Sequence, residues 1–292
     1  MSYVSGGVLL IMNKILKQIA YATQSDAQKL DIYLPSHILE PYPVILWLHP
    51  GGYTSGDKSM VEPVLEYILD GGYAVVSANY RLVNESIFPA QLFDAKAAVR
   101  WIKANSSTYG FSREAVVVWG VTAGSTFAAL LGTTANIKEL EDLSMGNRDE
   151  SCRVNAVVDI IGPVDLLNLD SQLLQLGYQP IHDNPDSGIF SLIGGQSAKF
   201  PERCRAMNPI TYLTSDCPPF YLQHGTADHI VPYLQSVNLA NALIETIGQE
   251  KVMLNLLENI DHFDSEHNSP ENVQKALAFL DRHIKQSNKI RN

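Results

Sequence analysis

Cysteine is scarce in this chain, and what there is does not pair: Cys152, Cys204 and Cys217 are odd in number and lack metal-ligand spacing. That argues against a disulfide framework or a metal centre and favours unpaired thiols in a reducing compartment. Basic runs are missing as well. With 21 basic against 31 acidic residues, a net charge of −10 and a pI near 5.2, neither nucleic acid nor an anionic membrane is an expected partner. At the amino end the only apolar run, Val8–Met12, is too short for a signal-peptide core and follows no Lys or Arg, so the expected location is cytoplasmic. Met12–Asn13–Lys14 reads as an alternative start, which would leave 1–12 as a disordered extension. There is no internal repeat and no low-complexity stretch.

What the chain does have is a hydrophobic content of 46%, ample for a sizeable core, spread over 292 residues in apolar runs punctuated by Gly and Pro. Ile19–Thr23 and Leu30–Leu34 read as an antiparallel hairpin at a sheet edge. Pro43–His49 reads as a strand buried on both faces, Tyr73–Asn79 and Val116–Trp119 as further buried strands, and Val154–Ile161, Phe220–Gln223 and Val252–Leu257 as strands. Between them lie helical stretches: one capped by Asp57 or Ser59 and running through Leu69, then Phe88 to about Ala104, Ser125–Thr134, Val231–Ile247 and Glu271–Ile284. Strands alternating with helices predict right-handed crossovers and a mostly parallel sheet covered on both faces, in one domain spanning 1–292. The alternation breaks only at 165–216, long enough to fold over the sheet edge as a lid.

In such a sheet, ligands bind at the carboxyl ends of the strands. Four loops there carry capable groups: His49–Tyr53, Gly120–Gly124, Gly225–Asp228 and Asn259–Asp264. The second is the pivot of the chain. Val116–Val121 breaks at Gly-x-Thr-x-Gly and resumes as a small-residue helix, one side chain away from the Gly-x-Ser-x-Gly nucleophile elbow, with Thr122 in the nucleophile's place. Along the chain the order is hydroxyl, carboxylate, imidazole, unlike the chymotrypsin or subtilisin order. Taken alone, Asp228 is a turn residue and His262 has rivals in His224, His229 and His267; His262 is favoured because it follows the last strand by one short loop, while His224 is expected to bond the backbone.

These residues resemble the α/β-hydrolases, within them the esterase/lipase group related to hormone-sensitive lipase and to small acetyl-xylan and feruloyl esterases. The resemblance runs from Leu30 to Ile284 and rests on Leu30–Pro35, His49–Pro50–Gly51–Gly52, Gly56–Asp57–Lys58, Asn79–Leu82, the elbow, Pro218–Pro219 and His224–Asp228. It implies an α/β-hydrolase fold with a mostly parallel eight-stranded sheet, helices on both faces and a small lid insertion. It also implies a carboxylic ester hydrolase acting on small acyl esters, such as acetylated or feruloylated carbohydrates. The implied catalytic residues are Thr122, Asp228 and His262, and the oxyanion hole would be the N–H groups of Gly51, Gly52 and Ala123. Tyr53 would contact substrate, and Arg81 and Asp94 would form a buried ion pair under the site. No cofactor and no metal is implied; the partner would be a small-molecule ester, with a homodimer left open.

Two departures from the family pattern matter. Asp261 stands where glycine commonly precedes the histidine, and Thr122 puts a β-branched side chain at a position held at positive φ. Three readings therefore stay open: an esterase with a slow threonine nucleophile, a non-catalytic binding protein on a hydrolase fold, and an esterase whose serine was deliberately replaced.

Overall fold

The computed structural model describes residues 14–36, 38 and 40–285; the expected extension at 1–12 lies outside them. Eight strands form one sheet: β1 (Lys14–Ala20), β2 (Lys29–Leu34), β3 (Tyr42–Leu48), β4 (Ala74–Ala78), β5 (Phe111–Val121), β6 (Ala156–Ile160), β7 (Phe220–Gly225) and β8 (Val252–Leu257). Their spatial order is β1-β2-β4-β3-β5-β6-β7-β8. Pairings β1–β2 and β2–β4 are antiparallel and all others parallel. This is the mostly parallel sheet that the alternation of strands and helices predicts, in the eight-stranded form that the resemblance implies.

The interior strands show why the apolar runs were continuous. In β3, Val44, Leu46 and Leu48 enter one core layer and Ile45 and Trp47 the other; in β5, Val116 and Val118 take the first and Val117 and Trp119 the second. Side chains alternate at period two, so a strand with apolar layers on both faces has no polar position to spare. The helices Ala90–Ala104, Ala123–Thr133 and Leu234–Ile247 cover the first face, Glu62–Asp70 and Pro270–Leu280 the second.

The edges differ from expectation. The first strand runs over Lys14–Ala20 rather than Ile19–Thr23, with five of its residues, Lys14, Ile15, Lys17, Gln18 and Ala20, exposed and none fully buried, so no burial pattern marks it in the sequence. Asp57 caps a 3₁₀ turn at Lys58–Val61 through the Ser59 N–H, and the α-helix proper begins after it. The last α-helix ends at Leu280, with a π-helical turn over Asp281–Lys285. Segment 165–216 contains the short helices Leu169–Gln175, Gly188–Ile193 and Pro201–Met207. It packs on the carboxyl side of the sheet: the Tyr178 hydroxyl donates to the Ala227 carbonyl at 3.2 Å, and a Cβ on Gly188 would lie 1.8 Å from the Gly52 carbonyl oxygen. Among the described residues no helix is long and apolar enough to cross a membrane.

Candidate active site

The elbow joins β5 to the helix Ala123–Thr133 through Thr122, whose backbone sits at φ 45° and ψ −110°. Its N–H donates to the Ile160 carbonyl at 2.8 Å and its carbonyl accepts the Ser125 N–H at 2.9 Å, so the conformation is held from both sides. Both flanking glycines are needed for the approach of strand and helix. A Cβ on Gly120 would lie 2.4 Å from the Gly124 carbonyl oxygen, and one on Gly124 2.1 Å from that of Leu48.

Beyond β3 the chain turns through three successive residues at positive φ: Gly51 at 131°, Gly52 at 58° and Tyr53 at 68°. The Gly51 carbonyl accepts the N–H groups of Thr54 and Ser55 at 3.2 and 3.1 Å, which closes the turn on that side. His49 anchors the loop from below. Its ring stacks on Tyr80 with centroids 4.3 Å apart, its Nδ1–H donates to the Pro50 carbonyl at 2.7 Å, and burial holds the imidazole below its ordinary pKa and hence neutral.

Asp228 follows β7 and His262 follows β8. Gly225 lets the two loops meet, since a Cβ there would lie 2.1 Å from the Ile260 carbonyl oxygen. The Asp228 carboxylate accepts on Oδ1 the N–H groups of Ile230 and Val231 at 2.9 and 2.8 Å, and on Oδ2 the His262 Nδ1–H at 2.7 Å. A carboxylate can only accept, so the proton of neutral His262 sits on Nδ1 and Nε2 keeps its lone pair. His224 adds a second imidazole, with Nε2 3.2 Å from Asp228 Oδ2 and 2.8 Å from the Val231 carbonyl, and Nδ1 2.7 Å from the Ser236 hydroxyl. Burial alone would raise the Asp228 carboxyl, but the hydrogen bonds and charge of His224 and His262 hold it well below the usual carboxylate range.

Thr122 and His262 line one cleft of about 830 Å³, together with Gly51, Gly52, Met60, Ile161 and Phe263. No hydrogen bond joins the Thr122 hydroxyl to His262 among the described residues. Thr122 and Gly52 also line a second cavity of about 290 Å³, walled by Tyr53, Pro163, Ile189 and Val231. Tyr53 is buried there and its hydroxyl pairs with that of Thr126 at 2.8 Å, which with burial fixes the ring. Arg81 and Asp94 form an ion pair, Nη2 to Oδ1 at 2.9 Å, with Asp94 buried and Arg81 partly exposed, and Gln28 donates to the same oxygen.

The structure thus brings Thr122, Gly51, Gly52, Tyr53, Ala123 and the Asp228–His262 pair to one edge of the sheet. His267 serves otherwise: its Nε2–H donates to the Asp261 carbonyl at 3.0 Å. Sequence reasoning gave no role to Ile161, a β-branched residue at φ 52° on the cleft wall, nor to His182, whose Nε2–H donates to the Ile230 carbonyl at 2.7 Å. Neither carries a motif. Asp159 was also unmarked, a fully buried carboxyl one strand from the elbow, pushed up to about 6 by burial against the opposing influence of His224 and Ser125. All three cysteines are free and buried, and no cluster suited to a metal ion occurs among the described residues.

A mostly parallel eight-stranded sheet with a hydroxyl on a strained strand-to-helix elbow defines the α/β-hydrolase class. The BD-FAE family model matches residues 30–243, and the chain belongs to that family. It is similar to the probable carboxylic ester hydrolase LipM of Mycobacterium tuberculosis, 26% identical over 246 residues that cover 82% of this chain and 54% of LipM. Esterase LipQ of the same organism is 27% identical over 75% of this chain and 50% of its own length. The chain therefore spans about half the length of these curated relatives. Among solved structures, a bifunctional GH43-CE protein of Bacteroides eggerthii superposes with a TM-score of 0.83 at 29% identity, over 92% of this chain and 38% of that one. A truncated carbohydrate esterase from gut microbiota reaches 0.86 at 25% identity, over 96% of this chain and all of that one (100%).

Proposed function

We infer that the protein is a carboxylic ester hydrolase in which Thr122, His262 and Asp228 form a nucleophile–base–acid triad. The observation that carries this reading is the buried Asp228–His262 bond of 2.7 Å, which leaves His262 Nε2 as a base in the cleft that Thr122 lines. In the acylation step His262 Nε2 takes the hydroxyl proton as Thr122 Oγ1 bonds to the ester carbonyl carbon. The N–H groups of Gly51, Gly52 and Ala123 receive the oxyanion. Collapse breaks the bond to the alcohol oxygen, which leaves with the proton from His262, and water then repeats the sequence to free the acid.

The two cavities meeting at Thr122 suit a two-part substrate. The acyl group would enter the 290 Å³ cavity beside Tyr53, under segment 165–216 as a lid, and the alcohol would occupy the 830 Å³ cleft. Phe263, 81% exposed at that cleft, offers a ring face to a sugar or aryl alcohol. Together with the carbohydrate esterase neighbours, this favours acetylated or feruloylated carbohydrates as substrates. The reading takes 1–292 as one domain, and three buried free thiols fit a reducing, cytoplasmic setting.

A second reading, a ligand-binding protein without turnover, draws on a specific observation: a β-branched residue at φ 45° with no hydrogen bond to His262. Turnover of an aryl acetate by the parent, Thr122→Ser and Thr122→Ala proteins separates the two. Hydrolysis in the first two and none in the third supports the triad; silence in all three, with folded protein, leaves the binding protein. Sedimentation of the same samples reads out the homodimer.

A further inference from the structure

Asp261, the residue before His262, sits between the loops that carry the candidate acid and imidazole. Asp261 Oδ1 accepts three hydrogen bonds: from the N–H of His262 at 2.7 Å, from the Nδ1–H of His229 at 2.7 Å and from the N–H of His229 at 3.4 Å. His229 follows Asp228 directly in the chain and His262 follows Asp261. One carboxylate oxygen therefore spans the two loops that carry the acid and the imidazole. On the other side the Asp261 carbonyl accepts the His267 Nε2–H at 3.0 Å, and the His267 carbonyl accepts the side-chain amide of Gln223, a β7 residue, at 3.0 Å. The residue before His262 is thus held at both its side chain and its backbone, and through His267 it is tied to the sheet.

We propose that Asp261 is a positioning residue, whose carboxylate bridges the His229 loop to the His262 backbone and so keeps His262 aimed at the cleft while its Nδ1–H stays on Asp228. This rests on the triad reading of the site. The Asp261 and His229 side chains are 43% and 48% exposed, and a carboxylate–imidazole contact that open to water adds little to folding stability. Its worth lies in geometry. Bonds from backbone N–H groups to an ionised acceptor are short and directional, and a catalytic base displaced by about 1 Å can lose on the order of a hundredfold in rate. A glycine here would leave both N–H groups to water and the loop free to shift.

The test uses the full chain and its Thr122→Ser form, each with Asp261→Gly, Asp261→Asn or His229→Ala. kcat and KM for an aryl acetate are measured, together with the low-field proton resonance of His262 Nδ1–H, assigned by its loss in His262→Gln. Asp261→Gly is expected to lower kcat about tenfold with KM changed less than about twofold, and to broaden the His262 resonance. Asp261→Asn keeps an oxygen acceptor and should recover to within about threefold of the parent. His229→Ala should cost part of the same loss and add nothing to Asp261→Gly. A kcat within about twofold of the parent in Asp261→Gly, with the resonance unchanged, would overturn the proposal, as would equal damage in the Gly and Asn forms. If no form hydrolyses ester, the triad reading fails, and the resonance alone still decides whether Asp261 holds His262.

Discussion

Gly124 passes so close beneath Leu48 that a Cβ on it would lie 2.1 Å from the Leu48 carbonyl oxygen. That carbonyl belongs to β3, the strand beside the elbow, so the obstacle is backbone and cannot rotate away. Gly124→Ala is expected to destabilise the fold by about 3 kcal/mol or more, above the usual range for a crowded core, because strand and helix must separate. Urea unfolding followed by tryptophan emission reads this directly, since Trp119 sits just before the elbow. A loss under about 1 kcal/mol would mean that the elbow can open without cost.

Asp228 accepts hydrogen bonds from two imidazoles and two backbone amides, and its loss is expected to act on stability and, if the triad holds, on rate. Asp228→Asn should lower turnover by about a thousandfold or more, since an amide can donate to His262 Nδ1 and invert the tautomer. The native carboxyl is depressed below its unfolded value, so its stabilisation is present above the ordinary carboxylate pKa and is lost as pH falls through the native one. The parent should therefore lose stability more steeply below about pH 4 than Asp228→Asn does. Thermal midpoints of the two proteins between pH 3 and 7 give the comparison; parallel curves would show that the carboxylate is not held as described.

For Asp159 the sign is the opposite. Its native carboxyl is pushed up to about 6, against an ordinary value of 3.8, with burial as the first cause. Folding therefore binds a proton in that window, and the cost of the buried charge sets in as pH rises through it and is full above about 6. Two units correspond to roughly 3 kcal/mol, an upper bound for what a neutral residue could relieve. Asp159→Asn keeps an oxygen for the Gly162 N–H, now 3.1 Å from Oδ1, and should gain in thermal midpoint over the parent at pH 7 but not at pH 4. A gain independent of pH would show that the carboxyl is ionised throughout.

The interior of the sheet was readable from sequence because burial on both faces leaves few polar positions in β3 to β7, Ser77, Asp159, Gln223 and His224 being buried exceptions, and the apolar runs announce themselves. The edge was not. Lys14–Ala20 pairs on one side only and buries no side chain fully, only Leu16 and Ile19 packing against the core, so composition gives it little signature, and the expected strand fell several residues late. The site was legible where a backbone constraint demands a residue type: Gly120 and Gly124 at the elbow, Gly51 and Gly52 in the loop, Gly225 under Ile260. What side chains do across loops was not. Neither His267 nor Asp261 carries a local signature, and only the path of the chain after β8, which brings the His267 Nε2–H to the Asp261 carbonyl, shows one as a strut for the other.

In the proposed triad Thr122 is the residue on which rate would depend, and its backbone sets the expected direction of the effect. Held at φ 45° and ψ −110° by the Ile160 carbonyl and the Ser125 N–H, it cannot relax toward the β region, so a β-branched side chain there carries strain on the order of 1–3 kcal/mol. Thr122 also lines both cavities, so in the proposed reaction its extra methyl would compete for room with the ester carbonyl. Serine keeps the hydroxyl and removes both costs. Thr122→Ser is therefore expected to raise turnover of a small acetyl ester by about tenfold or more, with folding stability unchanged or raised by up to about 1 kcal/mol, while Thr122→Ala abolishes turnover. Steady-state kinetics and urea unfolding on the three proteins check both halves. Equal activity in all three would remove Thr122 from the chemistry, and a serine form less stable than the parent would mean that the methyl packs rather than strains.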